Sequence, residues 1–464
     1  MSLSMFPSAA RVAAGTPAAR DRAVDVARIA SLLVVMFGHC TFVLATLTPS
    51  GLSVGNLLAQ LPALQPLTWV LQIMPLFFLA GAASAAYGLD RVDDHDRQPW
   101  GVWLMRRTQR LARPVFWYLA VWSVALIATR LLAGPTVGAR LGQQCVALLW
   151  FIGVYLVILA FVPVLVRLTS RRAFAAAVGV LLVVAAGCDA ARIHFDSMAF
   201  GLPNFLAVWL IPAAIGVAYA RRLIAPSAAL AIGAAALALG VLLVVVGPYE
   251  PSLVVTGDEK LSNVTPPTVV LGLHCVWMSL AFVAAARSVG RWARRPRVWR
   301  WVAIGNGGAM TLYLWHIPAI VATIGLLHLG GLDAYDPAQP HFWLLMLLRA
   351  AVFAVVMSVL FTVLLPAEHR SLPWWDGPVR AGRARTTAMG LLVCAGGVSI
   401  LVMAKMSLGT PLGWAAMIGF VGALVLARAL GSAPADASDK MDGQSVPVTG
   451  GYEEPLAHAS SAEA

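Results

Sequence analysis

Apolar residues occur along this chain in runs of about 17 to 25, the length that crosses a bilayer as a helix. The runs lie near 26–46, 66–88, 114–133, 145–166, 174–190, 203–220, 228–247, 267–286, 302–326, 342–365, 387–404 and 411–430. They predict an all-α, polytopic membrane helix bundle of twelve spans. Several runs contain glycine or proline, which membrane helices tolerate. No internal repeat is visible, and the polar segments between spans are too short for a soluble domain.

The polar segments give the orientation. With the N-terminus in the cytoplasm, the cytoplasmic segments collect Arg106, Arg107, Arg110 and Arg113, then Arg167, Arg171 and Arg172, then Arg221 and Arg222. They also collect six arginines between Arg287 and Arg300, and then Arg370, Arg380, Arg383 and Arg385. The other side receives Arg130, Arg140, Arg192, Lys260 and Lys405, and Arg349 falls inside the tenth span. This is the positive-inside asymmetry. Loss of one span would invert every later loop, so an even count with both termini cytoplasmic is expected. Residues 1–22 are rich in Ala, Ser and Pro and are expected to be a disordered cytoplasmic arm, not a cleaved signal peptide. Residues 431–464 have almost no large apolar side chains and are expected to be a disordered cytoplasmic tail.

Composition agrees with a membrane class. Apolar residues are 60% of the chain and charged residues 12%, with a mean hydropathy of +0.80. The net charge of +12 lies in loops on one side, so it does not point to nucleic acid. The five cysteines lie in apolar runs without metal-ligand spacing, and no disulfide framework is implied. Cys40 and Cys275 directly follow histidines; adjacent helical residues point about 100° apart, and both read as packing residues.

Candidate chemistry begins in the first span, where Arg28 and His39 are eleven residues apart. That is close to three helical turns, so both lie on one face, about 16 Å apart along the axis. A titratable group inside a span is costly and usually functional. A neutral imidazole can take a proton from a hydroxyl, so His39 is a candidate general base with Arg28 at the cytoplasmic end of the same face. His316 in the ninth span falls at similar depth, and His274 in the eighth lies in the outer half; either could equally be a core histidine bonded to a carbonyl. No serine nucleophile elbow and no His-Glu-x-x-His zinc pattern is present.

Arg107, Arg110 and Arg113 form a slightly drifting stripe just before the third span, which Pro114 is placed to begin. They read either as a headgroup anchor or as a cradle for phosphates of a nucleotide-like donor. Tyr313 and His316 are three apart and share a helix face. Glu368 lies just past the tenth span beside His369 and Arg370, where an interfacial ion pair is the simpler reading.

Taken together these segments resemble the acyltransferase 3 family of bacterial integral-membrane O-acyltransferases. The similarity rests on Arg28, ten residues, His39; on Pro75-Leu76-Phe77-Phe78-Leu79-Ala80-Gly81 in the second span; on an Arg-x-x-Arg satisfied by Arg107/Arg110 or Arg110/Arg113; on Tyr313-Leu314-Trp315-His316; and on Glu368 after the tenth helix. It covers about residues 22 to 370. The family usually has Ser-Gly-Phe in the second span where this chain has Ala80-Gly81-Ala82.

The resemblance implies a ten-helix acyltransferase domain over 23–370 with an added C-terminal transmembrane hairpin over 371–430. It implies a bacterial plasma-membrane enzyme that moves an acetyl or other short acyl group from cytoplasmic acyl-CoA, commonly acetyl-CoA, to a hydroxyl of an envelope carbohydrate or glycolipid. No permanently bound cofactor and no metal is expected. His39 would be the base with Arg28 beside it, Arg107, Arg110 and Arg113 would hold the donor, and Tyr313, His316 and Glu368 would serve the acceptor. The rival readings are a secondary transporter, for which paired interrupted helices are missing, and a glycan flippase, which would not need His39 as a base.

Overall fold

The computed structural model describes residues 7–48, 51–91, 98–257 and 259–431. The described chain starts with the short helix α1 (Ala9–Ala14) and the first span, α2 (Arg22–Phe42). An antiparallel hairpin follows, β1 (Val43–Thr48) and β2 (Gly51–Asn56), then short helices α3 (Leu57–Gln60) and α4 (Thr68–Leu71) before α5 (Met74–Leu89). Next come α6 (Trp100–Ala133), α7 (Pro135–Val146), α8 (Trp150–Leu165), α9 (Arg171–His194), α10 (Asn204–Ala220), α11 (Pro226–Val246) and α12 (Val269–Trp292). The last are α13 (Pro296–Gly307), α14 (Ala309–Leu329), α15 (Phe342–His369), α16 (Pro373–Asp376), α17 (Arg383–Met406) and α18 (Pro411–Leu430). Among the described residues twelve segments are long and apolar enough to cross a membrane, as the hydropathy pattern predicts.

These spans lack one polar face because lipid on the outside and protein on the inside are both apolar. What distinguishes the packed face is residue size. On α11, Ala229, Gly233, Ala236 and Gly240 are buried, whereas Leu230, Ile232, Val241, Leu242 and Val245 are exposed. Small residues at this spacing let α11 approach α12 closely.

The arginine-bearing segments gather at one end of the bundle. There Arg221 pairs with Asp90 and donates to the Leu168 carbonyl, Arg106 donates to Val379 O, and Arg300 to Pro7 O. At the far end, Trp69, Gln72 and Asn56 donate to the carbonyls of Pro251, Leu253 and Val255.

Several boundaries differ from the hydropathy reading. The first span stops at Phe42, because Val43–Thr48 turns back as a hairpin and Arg349 takes up the carbonyls of Cys40, Thr41 and Val43 at the helix end. The helix carrying the third span starts at Trp100 and continues through Pro114, whose missing N–H leaves one helical bond unmade. The ninth span is divided at Gly307–Gly308 into α13 and α14. In the N-terminal segment expected to be disordered, α1 packs on α13, with Trp299 Nε1 donating to Thr16 Oγ1 at 2.7 Å. The expected tail beyond residue 431 lies outside the described residues.

The C-terminal hairpin α17–α18 packs directly on the other spans. A Cβ at Gly390 would run into the Trp100 ring, and one at Gly153 would lie 2.6 Å from the Gly397 carbonyl, so only glycine permits these approaches. Thr386 Oγ1 accepts from the backbone N–H of Gly101 and Val102, capping α6, whose own N-cap residue is Pro99.

Candidate active site

On α2, Arg28, Leu32, Val35 and His39 recur at helical spacing along one face. His39 meets His316 of α14, with Nδ1 3.1 Å from Nε2. The rings are 8° from parallel with centroids 5.3 Å apart, the separation expected when imidazoles lie edge to edge and hydrogen-bond in plane.

The neighbours fix the proton positions. His316 Nδ1 is 2.6 Å from the Tyr313 carbonyl, which only accepts, so Nδ1 carries the hydrogen. In neutral His316, Nε2 is then an acceptor, and His39 Nδ1 must donate to it. This leaves the lone pair on His39 Nε2, which has no protein partner among the described residues, and His39 lines a cavity. The pair therefore presents one basic nitrogen, oriented by a second ring that is completely buried.

That cavity, of about 340 Å³, runs from Leu32 past His39 to Val254 and Val255 at the far end of the bundle. Its walls include Phe77, Trp150, Phe151 and Tyr313. Tyr313 shares it with His39, and its hydroxyl donates to Leu148 O. Beyond Val255 in the same loop, the Glu259 carboxylate accepts from Thr256 and Gly257. Burial opposes its charge, but these hydrogen bonds outweigh burial and hold its pKa below the usual carboxylate value.

Toward the arginine-rich end, Arg28 donates to Ser84 Oγ at 2.9 Å and lies 3.6 Å from Asp25. Arg107 reaches the same face of α5 one turn on: a Cβ on Gly88 would be 3.2 Å from its Nη2. Its guanidinium also covers the Trp103 ring at 4.4 Å. One turn deeper than Ser84, a Cβ on Gly81 would strike the Tyr155 hydroxyl, so glycine is what lets the phenol sit there. Tyr155 is within electrostatic range of both Arg28 and Arg107. Its ring touches Phe151, which touches Phe77 and Tyr313. An aromatic wall thus connects the two arginines to the His39 cavity.

The arginine stripe divides. Residues three apart drift by about 60° on a helix, so Arg107 and Arg113 diverge. Arg113 pairs with Asp376 at 3.0 Å and, with Arg106 and Arg110, lines a separate cavity of about 400 Å³ against the Gly377–Val379 stretch of chain. Arg28 opens into another cavity, of about 470 Å³, together with Arg11 and Arg20 from the N-terminal segment.

Glu368 does not line the His39 cavity. It accepts from Thr311 N at 2.8 Å and from the Thr311 hydroxyl, capping the start of the helix that carries Tyr313 and His316. His274 bonds through Nε2 to the Gln72 carbonyl and lies edge-on to Trp69, which ties α12 to the α4–α5 turn; it does not line the His39 cavity.

Tyr155, Phe151, Arg11, Arg20 and Arg349 are the residues that sequence reasoning did not select. Arg349 carried a signal, a buried charge within a span. The aromatic pair carried none, since aromatics at helical spacing are ordinary in any span.

Twelve candidate spans, with a histidine pair between two of them, define a multi-pass membrane protein with a site buried in its bundle. The acyltransferase domain family matches residues 21–365, about three quarters of the chain and all but the end of its first ten spans. The chain therefore belongs to this acyltransferase family, and α16–α18 and α1 lie outside the matched region. No curated protein and no solved structure matches it.

Proposed function

We propose that the protein is a plasma-membrane O-acyltransferase that moves an acetyl or other short acyl group from cytoplasmic acyl-CoA to a hydroxyl of an envelope carbohydrate or glycolipid on the opposite side. The observation that carries this reading is the His39 Nε2, without a protein partner among the described residues, oriented by His316 and facing a cavity between the arginine-rich end and the far end of the bundle. The acceptor hydroxyl gives its proton to His39 Nε2 while its oxygen attacks the thioester carbonyl. The C–S bond breaks, and the CoA sulfur leaves with the proton that His39 returns.

Arg28 and Arg107 converge on one face of α5, where phosphates of the donor would find two guanidinium forks. Arg110 and Arg113 would extend this basic mouth on the other side of α6. Tyr313 and His316 would serve the acceptor end, with Glu368 acting through its cap on α14.

The test is transfer of labelled acetyl from acetyl-CoA by the full-length protein in lipid. His39→Ala and His39→Gln should each lose about two to four decades in rate, because neither can accept the proton. Activity within a few-fold of wild type in either variant would remove His39 as the base.

A further inference from the structure

The His39 cavity has a chemistry of its own. Nineteen residues line it, and only five of them carry a polar side-chain group: His39, Asn56, Gln72, Trp150 and Tyr313. Three of the five are already engaged with the backbone. Asn56 donates to Val255 O and accepts from Leu58 N, Gln72 donates to Leu253 O, and Tyr313 donates to Leu148 O. The mouth is flanked by apolar surface as well, since Val54, Val70 and Val255 are at least half exposed there. His39 divides the cavity. Leu32, Phe77 and Phe151 lie on its arginine-rich side, and Phe42, Leu71 and Val255 lie beyond it.

A sugar ring brings several hydroxyls, and each one buried here would give up its water for walls of carbon. A hydroxyl carried on a carbon skeleton with few other oxygens brings a single such group, and His39 Nε2 is there to receive it. Building on the acyl-transfer reading above, we infer that the acceptor is an amphiphile whose reacting hydroxyl sits on its apolar part, such as a hydroxylated acyl chain or similar oxygen-poor alcohol. The polar remainder of that molecule stays outside the mouth, between the β1–β2 hairpin and the 248–268 loop. The reaction balances as before: the alcohol O–H and the thioester C–S bond break, and an ester and a free thiol form.

The experiment offers the full-length protein acetyl-CoA with one of two water-soluble probes, hexan-2-ol and methyl glucopyranoside, and quantifies acetyl ester by mass spectrometry. The His39→Ala variant provides the background. The expected result is a His39-dependent ester on the alkanol with kcat/KM about a hundredfold above the hexoside, the discrimination that rejection of unpaired buried hydroxyls provides. A Leu71→Asn variant, which adds a hydrogen-bonding group beyond His39, should narrow that ratio. An ester on the hexoside alone, or equal efficiency with both, overturns the inference and leaves the acyl-transfer reading standing. No His39-dependent ester on either probe removes both.

Discussion

Replacing His316 by phenylalanine would keep the ring and remove the lone pair that receives the His39 Nδ1 hydrogen. The freed N–H would leave His39 able to rotate or to expose the wrong tautomer. We expect kcat to fall about ten- to a hundredfold, as for other partners that orient an imidazole, while KM for acetyl-CoA stays near wild type. His316→Gln should recover part of the loss, since its amide oxygen can accept the same hydrogen. Equal activity of the Phe variant and wild type would show that His316 only fills space. At this scale His39 and Arg28 were legible from spacing alone, because charge inside a span stands out in any sequence. Their partners were not. Ser84 and Tyr155 are ordinary residues that become notable only when α5 and α8 bring them beside the arginines.

At the scale of elements, glycines set which helices touch. The family resemblance implies the C-terminal hairpin as an addition to a ten-helix domain, and the hairpin's packing depends on close approaches that only glycine allows. Gly390→Leu should therefore displace α17 from Trp100 and destabilise the protein by about 1 to 3 kcal/mol, the usual range for overpacking. Gly422→Leu is the contrast, because nothing lies within 4 Å of the point where its Cβ would stand. Thermal unfolding in detergent should show a clear fall in Tm for the first variant and little change for the second; equal Tm values would mean the hairpin is not held at this contact. Thr386 adds a polar tie by capping α6, the helix that presents Arg107. Helix ends were the least legible feature. The first span gives way to the β1–β2 hairpin shortly after His39, because a buried guanidinium from α15 satisfies its last carbonyls.

Across the whole molecule, the arginine asymmetry makes a prediction about sidedness. Reporter fusions after residues 140, 255 and 335 should read as outside, and those after residues 95, 170 and 295 as inside. A fusion at the C-terminus should also read as inside. An outside C-terminus would mean that α17 or α18 does not cross. With this orientation the proposed donor end would face the cytoplasm and the cavity mouth would face out, so the proposed transfer would run through the bundle.

The twelve spans, the clustering of arginines at one end and the placement of Arg28 and His39 on one helix face are all written in the order of residues. Each follows from a local rule: the length of an apolar run, the cost of charge in lipid, or the pitch of a helix. Packing in three dimensions was needed to make His316 the partner of His39, to turn Arg107 toward Arg28 and Arg113 toward Asp376, and to set Glu368 as a helix cap. These depend on which helices are neighbours and how they are rotated. In a membrane, where nearly every face of every span is apolar, hydropathy carries no record of that choice; small residues and a few buried hydrogen bonds make it.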